Sequence, residues 1–371
     1  VKFSEYMDKQ FRYETMLITG GAGFVGSNLA VSFKEKYPAL RVIAFDNLKR
    51  RGSELNIQRL KQSKVDFVHG DVRNPEDLAF DTKINLLLEC AAEPSVLAGY
   101  GSSPQYLINT NLVGTVNCLE LARKNKSDII FLSTSRVYPY AAINDIQTTE
   151  METRFEWNKE QTRCIPGWSK NGIDVDFTLN GPKSMYGATK LCSEIILLEY
   201  LKIYGVRGVI NRCGVIAGPW QFGKVDQGIF TLWMMAHYFN KPLKYIGFGG
   251  KGKQVRDLLH IDDLFDLLEL QIASMDNITS EIYNVGGGAA VSLSLLETTK
   301  LCEDITGNKI EIKSELNTRP ADLVIYTTDN QKICSTIPWK PKRNTRTILE
   351  DIYSWIKNNE NTLKYTLIPF P

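Results

Sequence analysis

Histidine is scarce in this sequence, and cysteine pairs and long apolar runs are missing from it. The three histidines, His69, His237 and His260, lack the spacing of metal ligands, so no metal site is expected. The seven cysteines form no CxxC pair, and an odd number in a chain of 371 residues favours reduced thiols over a disulfide framework. No run approaches the roughly 18 apolar residues of a membrane span, and the charged, aromatic segment 1–14 does not resemble a signal peptide. We therefore expect a cytoplasmic protein.

The charge balance is close to neutral. The formal net charge is +2, and 23% of the residues are charged. A non-specific nucleic-acid binder would show a clustered basic excess, so this class is not expected. The length suffices for a full hydrophobic core and favours two lobes over one.

Short apolar runs alternate with helical stretches through the first 217 residues. The runs are Met16–Thr19, Val42–Phe45, Asp66–His69, Asn85–Leu88, Asp128–Leu132 and Gly208–Arg212. Helices are predicted at Phe24–Lys36, Tyr106–Lys124 and Tyr186–Tyr204. Buried runs separated by helices are typical of parallel strands that are covered on both faces. The sequence therefore predicts an α/β fold with a Rossmann-type doubly wound parallel sheet.

Two further regions break this alternation. Residues 141–182 lose periodicity, and an irregular stretch of this length predicts a lid or binding loop. Beyond residue 218, Pro and Gly separate helices predicted near 226–240, 261–273, 293–306 and 345–357. We interpret residues 1–217 mainly as the sheet domain, with the insert 141–182, and residues 218–371 mainly as a smaller C-terminal substrate-binding lobe.

A glycine-rich turn, Gly20-Gly-Ala-Gly23-Phe-Val-Gly26, follows the first apolar run and opens the first helix. Gly20 allows the tight turn, Gly23 lets backbone N–H groups approach a pyrophosphate, and Gly26 lets helix and strand pack closely. The helix N-terminus adds partial positive charge for the phosphates. Asp46 closes the second run, where it is placed to accept from the ribose hydroxyls and to repel a 2′-phosphate. The pattern predicts NAD, although the basic residues 49–51 leave NADP open.

Tyr186 and Lys190 form the second motif, a YxxxK sequence. Residues four apart share a helix face, so the phenol and the ammonium converge on one site. A tyrosine has an ordinary pKa near 10, and a nearby cation favours its phenolate. Thr134 ends the fifth run, at the edge where parallel sheets place reacting groups. The three residues predict oxidation or reduction of a carbinol.

These motifs resemble the extended short-chain dehydrogenase/reductase family, whose pattern is GxxGxxG with Ser/Thr and YxxxK. The resemblance covers nearly the whole chain and includes Asn111 to Thr115, which is similar to the family's Asn-x-x-Gly-Thr helix. It implies that Thr134, Tyr186 and Lys190 are catalytic. The residues that it implies for NAD binding are Gly20, Gly23, Phe24, Val25, Gly26, Asp46, Asn47, Arg50, Asp71, Val72, Ala91, Ala92, Asn111, Ser133, Tyr186, Lys190 and Val215.

Within that family the chain resembles the group of CDP-tyvelose (CDP-paratose) 2-epimerases. The similar segments are Asp46–Leu48, Glu152–Phe155, Val225–Gly228, Gly252–Asp257, Ser292–Glu297 and Arg319–Asp322. The resemblance implies a nucleotide-sugar substrate, with CDP favoured, that is bound by Glu93, Gln227, Arg256, Arg319 and Asp322. Guanidinium groups bind diphosphate oxygens in pairs, but ion pairs of these arginines with Asp257 or Asp322 remain the alternative.

One departure restricts the reaction. Ser135 and Arg136 follow Thr134 where sugar-nucleotide 4,6-dehydratases carry an Asp-Glu pair, and dehydration needs that acid and base. We therefore expect an NAD-dependent epimerase, acting by transient oxidation at carbon 2 of a CDP-deoxyhexose. A UDP-sugar 4-epimerase, a related oxidoreductase and a non-catalytic NAD-sensing regulator are the alternatives. Family similarity implies a homodimer or homotetramer, built on the helices near Tyr106 and Tyr186.

Overall fold

The structure is a computed structural model that describes residues 11–158, 160, 164–223 and 227–366. Its strands are β1 (Thr15–Thr19), β2 (Arg41–Asp46), β3 (Asp66–His69), β4 (Leu86–Glu89), β5 (Asp128–Thr134), β6 (Thr148–Glu150), β7 (Phe155–Trp157), β8 (Trp168–Ser169), β9 (Gly172–Ile173), β10 (Gly208–Cys213), β11 (Val215–Ala217), β12 (Leu243–Ile246), β13 (Val255–His260), β14 (Ile282–Val285), β15 (Ser292–Ser294), β16 (Ile312–Glu315) and β17 (Ile325–Tyr326).

The α-helices of the described part cover both faces of the sheet and build the second lobe. They are α1 (Phe24–Lys36), α2 (Leu55–Gln62), α3 (Gln105–Ile108), α4 (Gly114–Asn125), α5 (Tyr140–Asn144), α6 (Met185–Tyr204), α7 (Ile229–Tyr238), α8 (Ile261–Ala273), α9 (Met275–Ile278), α10 (Leu295–Thr306), α11 (Gln331–Thr336), α12 (Thr345–Asn358) and α13 (Glu360–Thr366). A π-helical turn, Asn109–Val113, joins α3 to α4.

Seven parallel strands form the main sheet, in the order β14-β10-β5-β4-β1-β2-β3. Its central strands are buried apolar runs, and every residue of β5 is buried. Two hydrophobic clusters cover the two faces, one with α1 and α8 and the other with α4 and α6. The prediction of a doubly wound parallel sheet is therefore confirmed.

Two predicted boundaries are wrong. The helix expected at 261–273 is present as α8, but it packs with α1 on the main sheet, and β14 completes that sheet. The apolar face of α8 (Leu264, Leu267, Leu268) fits the sheet rather than the second lobe, so the division at residue 217 does not hold for this segment. The helix expected from about residue 226 begins at Ile229. Val225 and Asp226 lie outside the described residues.

The second lobe has its own core, in which α7, α10 and α12 pack together. Strand β13 pairs with β11, β15 and β17, and β12 pairs with β16. The insert 141–182 contains two short antiparallel hairpins, β6–β7 and β8–β9. Their strands of two or three residues are too short for a periodic pattern, so the sequence predicted only an irregular stretch there. Phe177 of this insert is buried with Tyr138 and Tyr326.

Candidate active site

In the glycine turn between β1 and α1, some glycines are closely packed against backbone and another has free space beside it. Gly20 has a φ of +64°, and a methyl group there would lie 2.9 Å from the carbonyl oxygen of Cys90. A methyl group on Gly26 would overlap the carbonyl oxygen of Gly20. A methyl group on Gly23 would meet only that same oxygen, at 3.1 Å. Gly23 therefore faces open space at the uncapped N-terminus of α1, where Phe24 and Val25 begin the helix.

Two substitutions in this turn should separate its contribution to folding from its contribution to dinucleotide binding. Gly26→Ala should force α1 away from the turn and destabilise the fold by about 2 kcal/mol or more, since overpacking costs that much. Gly23→Ala has the same added volume but an extended backbone (φ −72°, ψ 177°). It should retain its melting temperature and lose affinity for NAD, because a methyl group holds the pyrophosphate away from the helix N-terminus. Calorimetry and NAD titration measure the two effects, and a Gly23→Ala protein that binds NAD normally would contradict the assignment.

Acidic residues follow β2 and β3 at the same edge of the sheet. Asp46 accepts hydrogen bonds from the backbone N–H groups of Ala22 (3.1 Å) and Leu48 (2.7 Å). Burial raises the pKa of Asp46, and these hydrogen bonds lower it. Asn47 donates to Asp71 at 2.8 Å. The two carboxylates therefore have fixed orientations beside the glycine turn, as an adenosine ribose requires.

Hydrogen bonds keep Asp71 ionised. Burial acts to raise the pKa of Asp71, but hydrogen bonds from Arg73 and Asn47 prevail and bring it to about 2. The next residue, Val72, is buried and lies against Gly114 of α4. These contacts hold the loop after β3 rigidly against the sheet domain.

Asn111 holds the loop after β4. Its side-chain oxygen accepts from the N–H of Glu93 at 2.7 Å, and its amide donates to the Glu93 carbonyl (3.1 Å) and to Thr189 (3.3 Å). The loop contains Ala91 and Ala92, which are small enough for a ligand to pass close to the sheet edge. The side chain of Asn111 thus joins this loop to α6, and both its oxygen and its nitrogen take part in these hydrogen bonds.

Tyr186 and Thr134 meet at the start of α6, whose N-cap Ser184 accepts from Gly187 N–H at 3.2 Å. Burial raises the pKa of Tyr186 to about 12, while a hydrogen bond with Thr134 and the charge of Arg136 lower it. A methyl group on Gly187 would overlap the backbone carbonyl oxygen of Arg136. This backbone contact sets the position of the phenol relative to the end of β5.

Lys190 lies one turn later on α6 and is buried. Its Nζ is 3.7 Å from Glu89 Oε2 and 3.8 Å from the centre of the Phe131 ring. Tyr186 and Lys190 share the helix face that the sequence predicted. Glu89, the last residue of β4, was not identified from the sequence, since it ends an otherwise apolar run.

A buried ion pair connects α6 to the ends of β5 and β10. Arg212 binds both carboxylate oxygens of Glu194, with its Nη2 at 2.8 Å from Oε2. Glu194 also accepts a hydrogen bond from Ser133, the residue before Thr134. The Ser133 hydroxyl therefore fixes the strand end to α6 and is not directed to a ligand. Arg212 further donates to Tyr138 at 3.1 Å.

A cavity of about 600 Å³ opens between the sheet edge and the second lobe. Its lining residues include Arg136, Val215, Gln227, Arg256, Arg319 and Asp322. Arg256 donates to Asp322 Oδ1 at 2.8 Å, which is the ion pair that the sequence left as an alternative. Three arginines in the lining make the cavity suited to a diphosphate.

Gln227 and Glu93 meet across the opening of the site. Gln227 donates to Glu93 Oε1 at 3.4 Å and accepts from Arg50, which also donates to the carbonyl of Phe222 at 2.9 Å. Arg50 and Glu93 belong to the sheet domain, whereas Gln227 precedes α7 of the second lobe. Of the predicted substrate residues, four line the cavity, namely Gln227, Arg256, Arg319 and Asp322, and Glu93 is joined to them through Gln227.

The fold and these residues define a dinucleotide-dependent enzyme that acts on a carbinol. The open Gly23, the uncapped helix N-terminus and the oriented Asp46 fit a dinucleotide. The chain belongs to the NAD dependent epimerase/dehydratase family, whose model matches residues 16–286. NAD is the cofactor of this family, so both the predicted family and the predicted cofactor are confirmed.

Several known proteins are similar over nearly the whole chain. The CDP-paratose 2-epimerase of Salmonella typhi is 33% identical, over 92% of this chain and 98% of its own. The UDP-glucuronate 4-epimerase of Thermodesulfobacterium geofontis is 27% identical, over 94% and 98%. The crystal structure of the Bacillus cereus UDP-glucuronic acid 4-epimerase, in complex with UDP-glucuronic acid and NAD, has a TM-score of 0.75 and 26% identity, over 93% and 99%.

Within the described residues, no group of three or more His, Cys, Asp or Glu side chains is arranged to hold a metal ion. In the same part of the chain, none of the helices is both long and apolar enough for a membrane span.

Proposed function

We propose that the protein is an NAD-dependent epimerase that inverts carbon 2 of a CDP-linked deoxyhexose such as CDP-paratose. The observation that carries this proposal is the assembly of Thr134, Tyr186 and Lys190 beside a cavity with an arginine-rich wall. Ser135 and Arg136 follow Thr134, so the acid and base that a dehydratase needs at these positions are replaced. Arg136 lines the cavity instead.

The residues of the chain hold the sugar and move one proton. The glycine turn and Asp46 would hold NAD, which would supply the acceptor for a hydride from the carbinol carbon and the donor for its return to the opposite face of the sugar. Tyr186 takes the hydroxyl proton and gives it back, and Thr134 hydrogen-bonds the reacting oxygen. Burial and the charge of Glu89 raise the pKa of Tyr186, whereas the hydrogen bond with Thr134 and the guanidinium of Arg136 lower it and favour the phenolate. We assign the ammonium of Lys190, one turn later on α6, the same role as the guanidinium.

Inversion requires the keto sugar to turn over without leaving the site. Arg256 and Arg319 line the cavity together and are placed to bind the nucleotide diphosphate. With the diphosphate held, the sugar can present either face to the cofactor, and the reaction remains intramolecular. Asp322 fixes the Arg256 guanidinium through the 2.8 Å ion pair, which orients its remaining donors.

The relatives support two alternative substrates. The 33% identity with a CDP-paratose 2-epimerase over 98% of that protein favours CDP and carbon 2. The similar UDP-glucuronate 4-epimerase, at 27% identity, supports a UDP-sugar and carbon 4 as the second candidate. Both reactions would use the same three residues, and they differ only in how the sugar turns in the cavity.

The decisive experiment offers both substrate types in deuterated water. Purified protein is incubated with CDP-paratose, UDP-glucose or UDP-glucuronic acid without added NAD, and the products are followed by NMR. We expect inversion at carbon 2 of CDP-paratose, supported by co-purified NAD, with no deuterium at the inverted carbon. Solvent deuterium at that carbon would indicate proton abstraction from carbon and overturn the mechanism. Inversion of a UDP-sugar alone would overturn the substrate, and the absence of all turnover with NAD bound would favour an NAD-sensing regulator.

We further propose that α6, together with the helix around Val113, forms a homodimer contact. Helix α6 exposes Ile195 (56% of its surface), Ile203 (64%) and Tyr204 (53%), and Val113 lies 42% exposed on the adjoining helix. A row of apolar side chains on two neighbouring helices is suited to a second copy of the chain.

Ile195→Asp should convert the protein to a monomer in light scattering, because it places a charge in the contact. Exposed Lys124→Asp, which also introduces an aspartate but lies at the end of α4, is the control. An unchanged mass for Ile195→Asp would contradict the contact.

A further inference from the structure

Glu89 is a fully buried glutamate in the centre of the main sheet. It ends β4 between Thr19 of β1 and Phe131 of β5, its partners in the ladder. Its relative exposure is 0%, and within the described part of the chain neither carboxylate oxygen has a hydrogen-bond partner. A buried carboxylate without hydrogen bonds is costly for the fold unless a charge nearby compensates it.

Lys190 supplies that charge. Its Nζ lies 3.7 Å from Glu89 Oε2, and both side chains are almost completely removed from solvent. The other contact of the ammonium is with the face of Phe131, 3.8 Å from the ring centre. Glu89 is the carboxylate that the structure places beside this ammonium.

The remaining titratable groups near this pair are neutral at ordinary pH. They are the thiols of Cys90, Cys118 and Cys213 and the phenol of Tyr186, and burial raises the pKa of each. Arg136 adds positive charge, but on the cavity side of Tyr186. Because the thiols are uncharged, Glu89 is the group that balances the charge of Lys190.

We propose that Glu89 is a positioning residue for the reaction: its carboxylate holds the ammonium of the buried Lys190 one helical turn from Tyr186. This inference rests on the proposed catalytic roles of Lys190 and Tyr186. The carboxylate does not contact the substrate, and its support for the reaction acts through the lysine. The pair thus keeps a cation where it supports the phenolate.

The sign of the expected pH effect follows from this arrangement. Glu89→Gln keeps the shape of the side chain and removes its charge, so the ammonium of Lys190 loses the carboxylate that holds it. Removing the Glu89 charge would by itself lower the pKa of Tyr186, because that charge raises it. A displaced ammonium no longer supports the phenolate, and we expect this larger effect to make the phenol give up its proton only at higher pH. The acidic limb of the kcat–pH profile should move to higher pH by about one unit or more. Glu89→Asp, which keeps the charge, should retain the limb near its original position.

The test measures kcat–pH profiles for Glu89→Gln, Glu89→Asp and Lys190→Met, each loaded with NAD. Glu297→Gln is the control, since Glu297 is a part-buried glutamate paired with Arg154 at the start of α10, outside the site. A limb that stays in place or moves to lower pH in Glu89→Gln means that Lys190 supports the phenolate without Glu89, and this overturns the inference. The control should lower the melting temperature without moving the limb.

A second measurement is independent of activity. Lys190→Met leaves Glu89 buried without a counter-ion, so its melting temperature should fall. Adding Glu89→Gln to Lys190→Met should recover part of that loss, and a further loss would contradict the pairing. If Lys190→Met retains full activity, the proposed catalytic set fails. If Lys190→Met is impaired while Glu89→Gln matches the unmodified protein, only the role of Glu89 fails.

Discussion

Tyr186→Phe is expected to lower kcat by about a thousandfold or more while leaving NAD affinity nearly unchanged. The substitution removes one oxygen from a half-buried ring and keeps the packing around it, so the fold and the cofactor cleft should persist. A positioned acid–base group contributes about 10²–10⁴-fold to a rate, and in this site the phenol is the group hydrogen-bonded with Thr134. Turnover of the nucleotide sugar and titration with NAD measure the two quantities. A variant within about tenfold of the unmodified kcat would contradict the proton-transfer role.

The same residue makes activity depend on pH. Burial raises the pKa of Tyr186 to about 12 in the protein chain itself. The neutral phenol is therefore the ground state, and charges near it must lower that pKa before the phenol acts as a base. The rate of sugar oxidation should rise with pH up to the pKa of the loaded enzyme. Tyr186→Phe should remove this rise from its residual activity.

Arg212→Met is expected to give the largest loss of stability, about 3–5 kcal/mol. The Glu194 and Arg212 side chains are 1% and 4% exposed, and the substitution would leave Glu194 buried without its charge partner. Chemical denaturation measures the loss. Replacing both residues, as Glu194→Met with Arg212→Met, should restore most of the stability, because neither charge then remains buried.

The pair also holds the strand end that carries Thr134. Glu194 accepts a hydrogen bond from Ser133, next to Thr134, so the double variant should remain less active even where it recovers stability. Arg346→Met is the matched control, since Arg346 forms an exposed pair with Asp304 and should change stability by less than about 1 kcal/mol. Equal losses in the two arginine variants would contradict the importance of burial.

The parts of the site that depend on local sequence were predictable. The turn from Gly20 to Gly26 and the four-residue spacing of Tyr186 and Lys190 each follow from one element's geometry. Strand ends were also predictable, because in a parallel sheet the carboxyl ends lie at one edge. Thr134 was located in this way, at the end of an apolar run.

The parts that depend on distant segments were not predictable. Glu89 meets Lys190 across about a hundred residues of sequence, and Glu194 meets Arg212 from a helix to a strand. No local pattern distinguishes a buried, paired glutamate from an exposed one. The return of α8 to the main sheet was missed for a similar reason, since an apolar helix face fits either lobe until its neighbours are known.

The contact between Gly187 and the Arg136 carbonyl has a consequence for altering substrate preference. Because it joins two backbones, the side chain at position 136 takes no part in it. Arg136 lines the cavity, so an exchange there changes the lining without removing this backbone contact, and it also removes a positive charge that lowers the pKa of Tyr186. Position 136 is therefore where a library of variants should first look for acceptance of other sugars, with the pH dependence of turnover measured for each variant.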